Sequence, residues 1–348
     1  MNPVENFIAA NPDEMLPIDQ ADVEDIQACA QYVKEIYTYL LQSEETYNID
    51  PEFLSRQENF NADDRTLLYD WVSRAHSKFN LANESFFHFI AIFDKILEKT
   101  KLFSYDSRLT AMACLLIASK FEQSYIPSLR HYIEILMQEQ SLRFVNCEQC
   151  LYKYQNQTGS KQFRRFAAIP SQDYETQPDT PAEILNIQNQ LPPCQQCMRA
   201  ALIQAEEEIL HVLDFHLSMP TSLIFLRRFA KISNMKPRDR YIAFYLGELC
   251  AMNDSMVTTY RPSLIAAGCV AMTRRLTRRP SWSDELFQYS GYTEANIREV
   301  LQDVSSVLKQ LALSPKVKYI RRKYAQQDRF YGVSVMIENV VGQVVGAQ

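Results

Sequence analysis

The sequence predicts an all-α protein: two tandem sets of five helices, with one helix ahead of the first set and a helical extension behind the second. Three observations carry this. Only 7 glycines occur among 348 residues, where a sheet protein would use glycine freely in turns and bulges. Apolar residues recur at three- and four-residue intervals in segment after segment. Two short apolar stretches, LTAMACLLIASK from Leu109 and PSLIAAGCVAMTRR from Pro262, hold equivalent third places in the two sets, as in a structural duplication.

The chain opens with Glu5, Asp13, Glu14, Asp19, Asp22, Glu24 and Asp25 and no lysine or arginine before Lys34. This start accounts for the whole net charge of −6. With Pro3, Pro12 and Pro17 in it, the segment 1–30 is expected to be an acidic, solvated and partly disordered leader. YVKEIYTYLLQSEE (Tyr32 to Glu45) then lines up Val33, Ile36, Tyr37 and Leu40 as an amphipathic helix.

The first set follows. RTLLYDWVSRAHSKF (Arg65 to Phe79) and ESFFHFIAIFDKILEK (Glu84 to Lys99) each carry one apolar face. RLTAMACLLIASKF (Arg108 to Phe121) is apolar nearly all round, as a helix enclosed by its neighbours must be, and is the expected hub. PSLRHYIEILMQ starts on Pro127, a residue suited to a first helical position, and MRAALIQAEEEILHVLDFHL (Met198 to Leu217) completes the set. Pro220, Pro237, Pro262 and Pro280 punctuate the second set. The expected divisions are 1–30 (leader), 31–219 with an insertion at about 138–193, 220–313, and 314–348.

Several function classes are disfavoured. The N-terminus lacks a signal peptide's basic start and apolar run, and the longest apolar stretch, Ala111 to Ala118, is too short to span a bilayer. An intracellular, soluble protein without a membrane partner is expected. The balanced charge beyond the leader gives no footprint for nucleic acid. His76, His88, His131, His211 and His216 form no metal-protease spacing, no glycine loop could cradle a phosphate, and no catalytic site is expected. The basic runs Arg274 to Arg279 and Tyr319 to Tyr324 read as solvated helix ends.

Of two C-x-x-C pairs, Cys147 with Cys150 lies in the polar insertion and Cys194 with Cys197 stands at its exit. Four thiolates in two knuckles suit a tetrahedral structural zinc that closes a loop unable to build its own core. Four free thiols on a flexible insertion, or redox or disulfide use, are the alternatives.

The helices themselves resemble a cyclin. RTLLYDW, FDKIL, LTAMACLLIASKFEQ and AEEEILHVLDFHLSMPT match the first cyclin box, with its marker positions at Arg65, Asp94, Leu109, Lys120 and Glu206. YLGELCAMND, YRPSLIAAGCVAM and SGYTEANI resemble the second box of the mitotic subfamily, and the flanking YVKEIYTYL and VKYIRRKYAQQDRFYGVSVM are similar to B-type and A-type cyclins, nearest the B type.

The resemblance implies two cyclin folds and a non-catalytic activator of a cyclin-dependent Ser/Thr protein kinase, acting in the nucleus and cytoplasm at a G2/M-type step and needing no cofactor for that role. By motif position, Lys120 and Glu206 would hydrogen-bond main-chain groups beside the kinase's mobile helix αC. Phe121, Leu210 and Phe215 would add apolar contacts, and Ile36 and Tyr39 would grip the other kinase lobe. Arg65 and Asp94, costly to bury singly, are expected to pair structurally. Leu67, Leu68 and Trp71 would belong to a patch that docks R-x-L substrates.

Three positions depart from the pattern. Asp64 stands at a methionine of the docking patch, Arg108 at its glutamine, and Gln123 where a second glutamate would follow Lys120. The leader holds no R-x-x-L and no K-E-N degron string. Two other readings compete: a IIB-type transcription factor binding promoter DNA, and a cyclin-fold scaffold without kinase activation.

Overall fold

Residues 2–11, 15–102, 107–138 and 195–345 are described by the computed structural model, and among them every regular element is helical. The leader carries α1 (Pro3–Ala10) and α2 (Pro17–Gln20), and α3 (Val33–Ser43) precedes the first bundle. That bundle is α4 (Ala62–Lys78), α5 (Asn83–Lys99), α6 (Ser107–Glu122), α7 (Leu129–Met137) and α8 (Gln195–Val212).

α6 is the hub. Ala111 to Ser119 is buried without a break, and small side chains at Ala111, Ala113, Cys114 and Ala118 let α5 and α8 pack closely against it. α4 begins with a capping box: Asn61 Oδ1 accepts from the Asp64 amide at 3.1 Å, and Asp64 Oδ2 accepts from the Asn61 amide at 3.1 Å. The aspartate at the expected methionine position is therefore a helix cap.

The second bundle repeats the plan with α9 (Ser222–Ile232), α10 (Pro237–Met252), α12 (Pro262–Leu276), α13 (Asp284–Ser290) and α14 (Glu294–Leu311), plus a short α11 (Asp254–Thr259) that the sequence pattern did not reveal. α12 is its hub, buried from Ile265 to Arg274. A Cβ at Gly268 would meet Val300 at 2.9 Å, so the glycine permits the close approach of α14.

The extension forms α15 (Tyr319–Tyr324), α16 (Gln327–Phe330) and α17 (Val333–Val345). It is tied to both bundles. Asp70 of α4 accepts the amides of Lys318, Tyr319 and Ile320 at 2.9, 2.8 and 3.0 Å, an external carboxylate capping α15. On the other side, Lys323 and Tyr324 donate to buried Glu248 of α10 at 2.5 and 2.7 Å.

The leader departs from its expected solvated state. Val4, Phe7 and Asp19 are buried, and Asp19 is held by Arg228 and Lys231 of α9. Its acids are in part neutralised by cations more than 200 residues later, which local composition does not report. The insertion at about 138–193 lies outside the described residues except for Gln138.

Candidate functional site

The end of α6, the outer face of α8 and the outer face of α3 converge on one surface. Lys120 stands in the last turn of α6 and donates to Glu206 of α8 at 2.5 Å, with the lysine half exposed. Ile36 and Tyr39 of α3, Phe121 of α6 and Phe215 after α8 are 45%, 59%, 51% and 61% exposed, high values for side chains of that size. Tyr39, Phe121 and Phe215 line one groove together with Gln42 and Ser43. Leu210 is partly buried and packs against the core behind it.

Local structure explains why these rings face outward. α8 is followed, in the turn just past its end, by two consecutive left-handed residues, Asp214 and Phe215, at φ of +50° and +57°. That conformation is uncommon for residues with a Cβ, and here it turns Phe215 out of the helix while its amide still bonds the Leu210 carbonyl at 2.9 Å. Phe121 is set by buried His88, whose ring stands edge-on at 4.7 Å. The two His88 nitrogens lie 2.8 Å from Glu122 Oε1 and 2.7 Å from the Leu217 carbonyl, which ties α5, α6 and the inter-bundle link together. Gln123 turns inward to Ser85 Oγ at 2.9 Å.

Two further apolar residues, Tyr125 and Ile126, are exposed in the link just after α6. Sequence reasoning missed them. Their position between Phe121 and Pro127, outside any helical stripe, was the available signal.

Arg65 and Asp94 form a fully buried, two-pronged ion pair at 2.8 and 2.7 Å. Tyr69 hydroxyl donates to Asp94 at 2.6 Å and its ring lies 4.4 Å from the Arg65 guanidinium. The remaining Arg65 donors reach the second bundle, bonding the Met252 and Ala251 carbonyls at the end of α10 at 2.7 and 2.9 Å. Asp94 raises the arginine's pKa against the opposing effect of burial, so the guanidinium stays charged.

Glu44, which follows α3, is a second junction. Its carboxylate accepts from the Ser263 amide at 3.0 Å and the Ser263 hydroxyl at 2.6 Å at the start of α12. Burial pushes its pKa up to about 7 despite those bonds.

Of the expected substrate-docking residues, only Leu67 is exposed. Leu68 and Trp71 are buried, with the Arg108 guanidinium 5.7 Å from the Trp71 ring. Three of the expected zinc ligands, Cys147, Cys150 and Cys194, lie outside the described residues, and Cys197 at the start of α8 is disulfide-bonded. Among the described residues no group of three or more histidines, cysteines and carboxylates could hold a metal, and no helix is long and apolar enough to cross a membrane.

Two family models match the chain: the cyclin N-terminal domain over residues 35–218 and the cyclin C-terminal domain over residues 220–339. The G2/mitotic-specific cyclin-B of Dictyostelium discoideum is 28% identical over 309 residues, covering 88% of this chain and 57% of that protein. The G2/mitotic-specific cyclin-B2 of Macaca fascicularis is 29% identical over 326 residues, covering 92% of this chain and 67% of that protein. The chain thus spans 57% and 67% of the lengths of these two relatives. Among solved structures, a viral cyclin from herpesvirus saimiri superposes with a TM-score of 0.54 at 16% identity, over 78% of this chain and 97% of that one, a likeness of fold.

Proposed function

This chain belongs to the cyclin family, and from that premise we propose that it is a mitotic-type regulator of cell-cycle progression that binds and activates a cyclin-dependent Ser/Thr protein kinase. One observation supports this reading above the others. A donor and an acceptor, Lys120 and Glu206, bond each other next in sequence to Phe121, whose exposed ring lines one groove with those of Phe215 and Tyr39. Such a groove with a polar pair beside it is what a partner's helix and adjoining main chain would cover. Lys120 and Glu206 bond each other in the free chain, and the lysine, with 48% of its side chain exposed, can swing to partner groups when they arrive while Glu206, at 14%, stays in place as the acceptor.

The mechanism is a population shift. A protein kinase transfers phosphate only when its β3 lysine and αC glutamate are paired and its activation loop is ordered. A rigid surface that binds only the αC-in state draws the kinase toward it, and a swing from 1:99 to 99:1 takes roughly 5.5 kcal/mol of differential binding. Rigidity is what the Arg65 junction, the Glu44 junction and the α15 anchor supply. The chain brings no catalytic group of its own to this mechanism.

The test is capture of a purified cyclin-dependent kinase by immobilised wild-type chain and by a Lys120→Ala, Glu206→Ala double variant. Wild type should retain the kinase and the double variant should lose most of it. Equal recovery by the two would defeat the proposed surface.

A further inference from the structure

The kinase-binding role leaves the acidic leader without a part, yet the leader is built into the fold beside α3. Phe7 of α1 is fully buried, edge-on to Tyr37 of α3 with ring centroids 4.7 Å apart. Tyr37 also meets Phe225 and Phe229 of α9 at 6.0 and 6.3 Å, and its hydroxyl donates to the Ser290 carbonyl at 3.1 Å. Side chains of Asn6 and Asn11 donate to the Gly291 and Gln288 carbonyls, each at 2.9 Å. Gly291 has φ of +77°, and a Cβ there would stand 2.0 Å from the Pro3 carbonyl oxygen. That turn is shaped to receive α1.

α2 adds a charged lock. Buried Asp19 accepts from Arg228 at 3.2 and 3.0 Å and from Lys231 at 3.1 Å, and Asp22 also pairs with Lys231. Burial opposes Asp19's charge, but the hydrogen bonds and charges of Arg228 and Lys231 outweigh it and hold the carboxyl below its ordinary range. The Arg228 guanidinium lies 5.6 Å from the Tyr37 ring, so one side chain touches both the leader and α3.

On the outward side of α3, Tyr39 and Gln42 line the groove shared with Phe121 and Phe215 and also a second groove walled by Ile8 and Leu16 of the leader. Leader and partner-facing surface are therefore contiguous. A helix of 11 residues is marginal by itself in water, so its pose depends on what packs around it.

We propose that the leader is a clamp that fixes α3 in the orientation presenting Ile36 and Tyr39 to the kinase, with Asp19 as its charged positioning residue and Phe7 as its apolar one. This rests on the kinase-binding reading above. Ordering α3 before the encounter removes that cost from the binding step, so loosening the clamp weakens binding without touching the contact residues.

The test measures calorimetric affinity of the full chain for a purified cyclin-dependent kinase catalytic subunit, together with amide exchange of α3 and α6. Asp19→Asn and, separately, Phe7→Ala should each weaken binding about tenfold, within the usual range of coupling between sites. They should speed exchange in α3 and leave α6 unchanged. Asp19→Glu, which keeps the charge, should restore wild-type behaviour. If Asp19→Asn and Phe7→Ala bind as tightly as wild type while Lys120→Ala, Glu206→Ala does not, the clamp is overturned and the kinase reading stands. If Asp19→Glu fails as Asp19→Asn does, the charged lock is overturned. If the wild type binds no kinase, both fall.

Discussion

Arg65 Nη1 donates to the Met252 carbonyl at 2.7 Å across 187 residues of chain, joining the last turn of α10 to the first turn of α4. The same guanidinium is paired with Asp94, so one buried cation satisfies a carboxylate in its own bundle and two helix-end carbonyls in the other. It is both the core pair of the first bundle and the bolt between the two.

Asp94→Ala should therefore cost about 3–5 kcal/mol in urea unfolding, because it strands a buried guanidinium rather than removing a neutral contact. Arg65→Lys, which keeps the charge but loses the fork, should also destabilise. A loss under about 1 kcal/mol for Asp94→Ala would show that the pair is not held in a dry interior.

Glu44 makes stability depend on pH. Its folded-state pKa is raised from 4.5 to about 7, so between those values the folded chain binds more protons than the unfolded one. Its favourable contribution is then present in full below about pH 4.5 and disappears as pH rises through about 7. Glu44→Gln, which imitates the protonated form, should be more stable than wild type at pH 8, by on the order of 2 kcal/mol, and equal to it near pH 4.5. Melting curves of the two that run parallel across this range would contradict the assignment.

We propose for the two C-x-x-C pairs the structural zinc that their spacing suits. Cys197 is disulfide-bonded in this structure, so the zinc form requires that sulfur to be reduced. Chain purified under reductant should carry about one zinc, and Cys194→Ser, Cys197→Ser should remove it. Zinc-free reduced wild type would return the pairs to thiol or disulfide chemistry.

Much of the architecture was legible because it is written in local period and composition. α6 announced itself as a hub by being apolar nearly all round, α12 as its counterpart by its equivalent third place, and Arg65 and Asp94 as a pair by the cost of burying either alone. Lys120 and Glu206 were singled out through resemblance, and the fold brings them to 2.5 Å. What stayed hidden depends on partners remote in sequence. Asp19 reads as a solvated acid until Arg228 and Lys231 are placed beside it, and nothing near Arg65 reveals that its outer donors reach Ala251 and Met252. Leu68 and Trp71 share the α4 stripe with Leu67, but the packing of α4 buries the first two and leaves only the third exposed.

Kinase activation is the central claim, and histone phosphorylation by a purified cyclin-dependent kinase, with this chain titrated in, tests it most directly. Wild type should raise the rate at least tenfold, and Lys120→Ala, Glu206→Ala at the same concentration should leave it near that of the kinase alone. No increase with wild type, or the same increase with the double variant, would contradict the account.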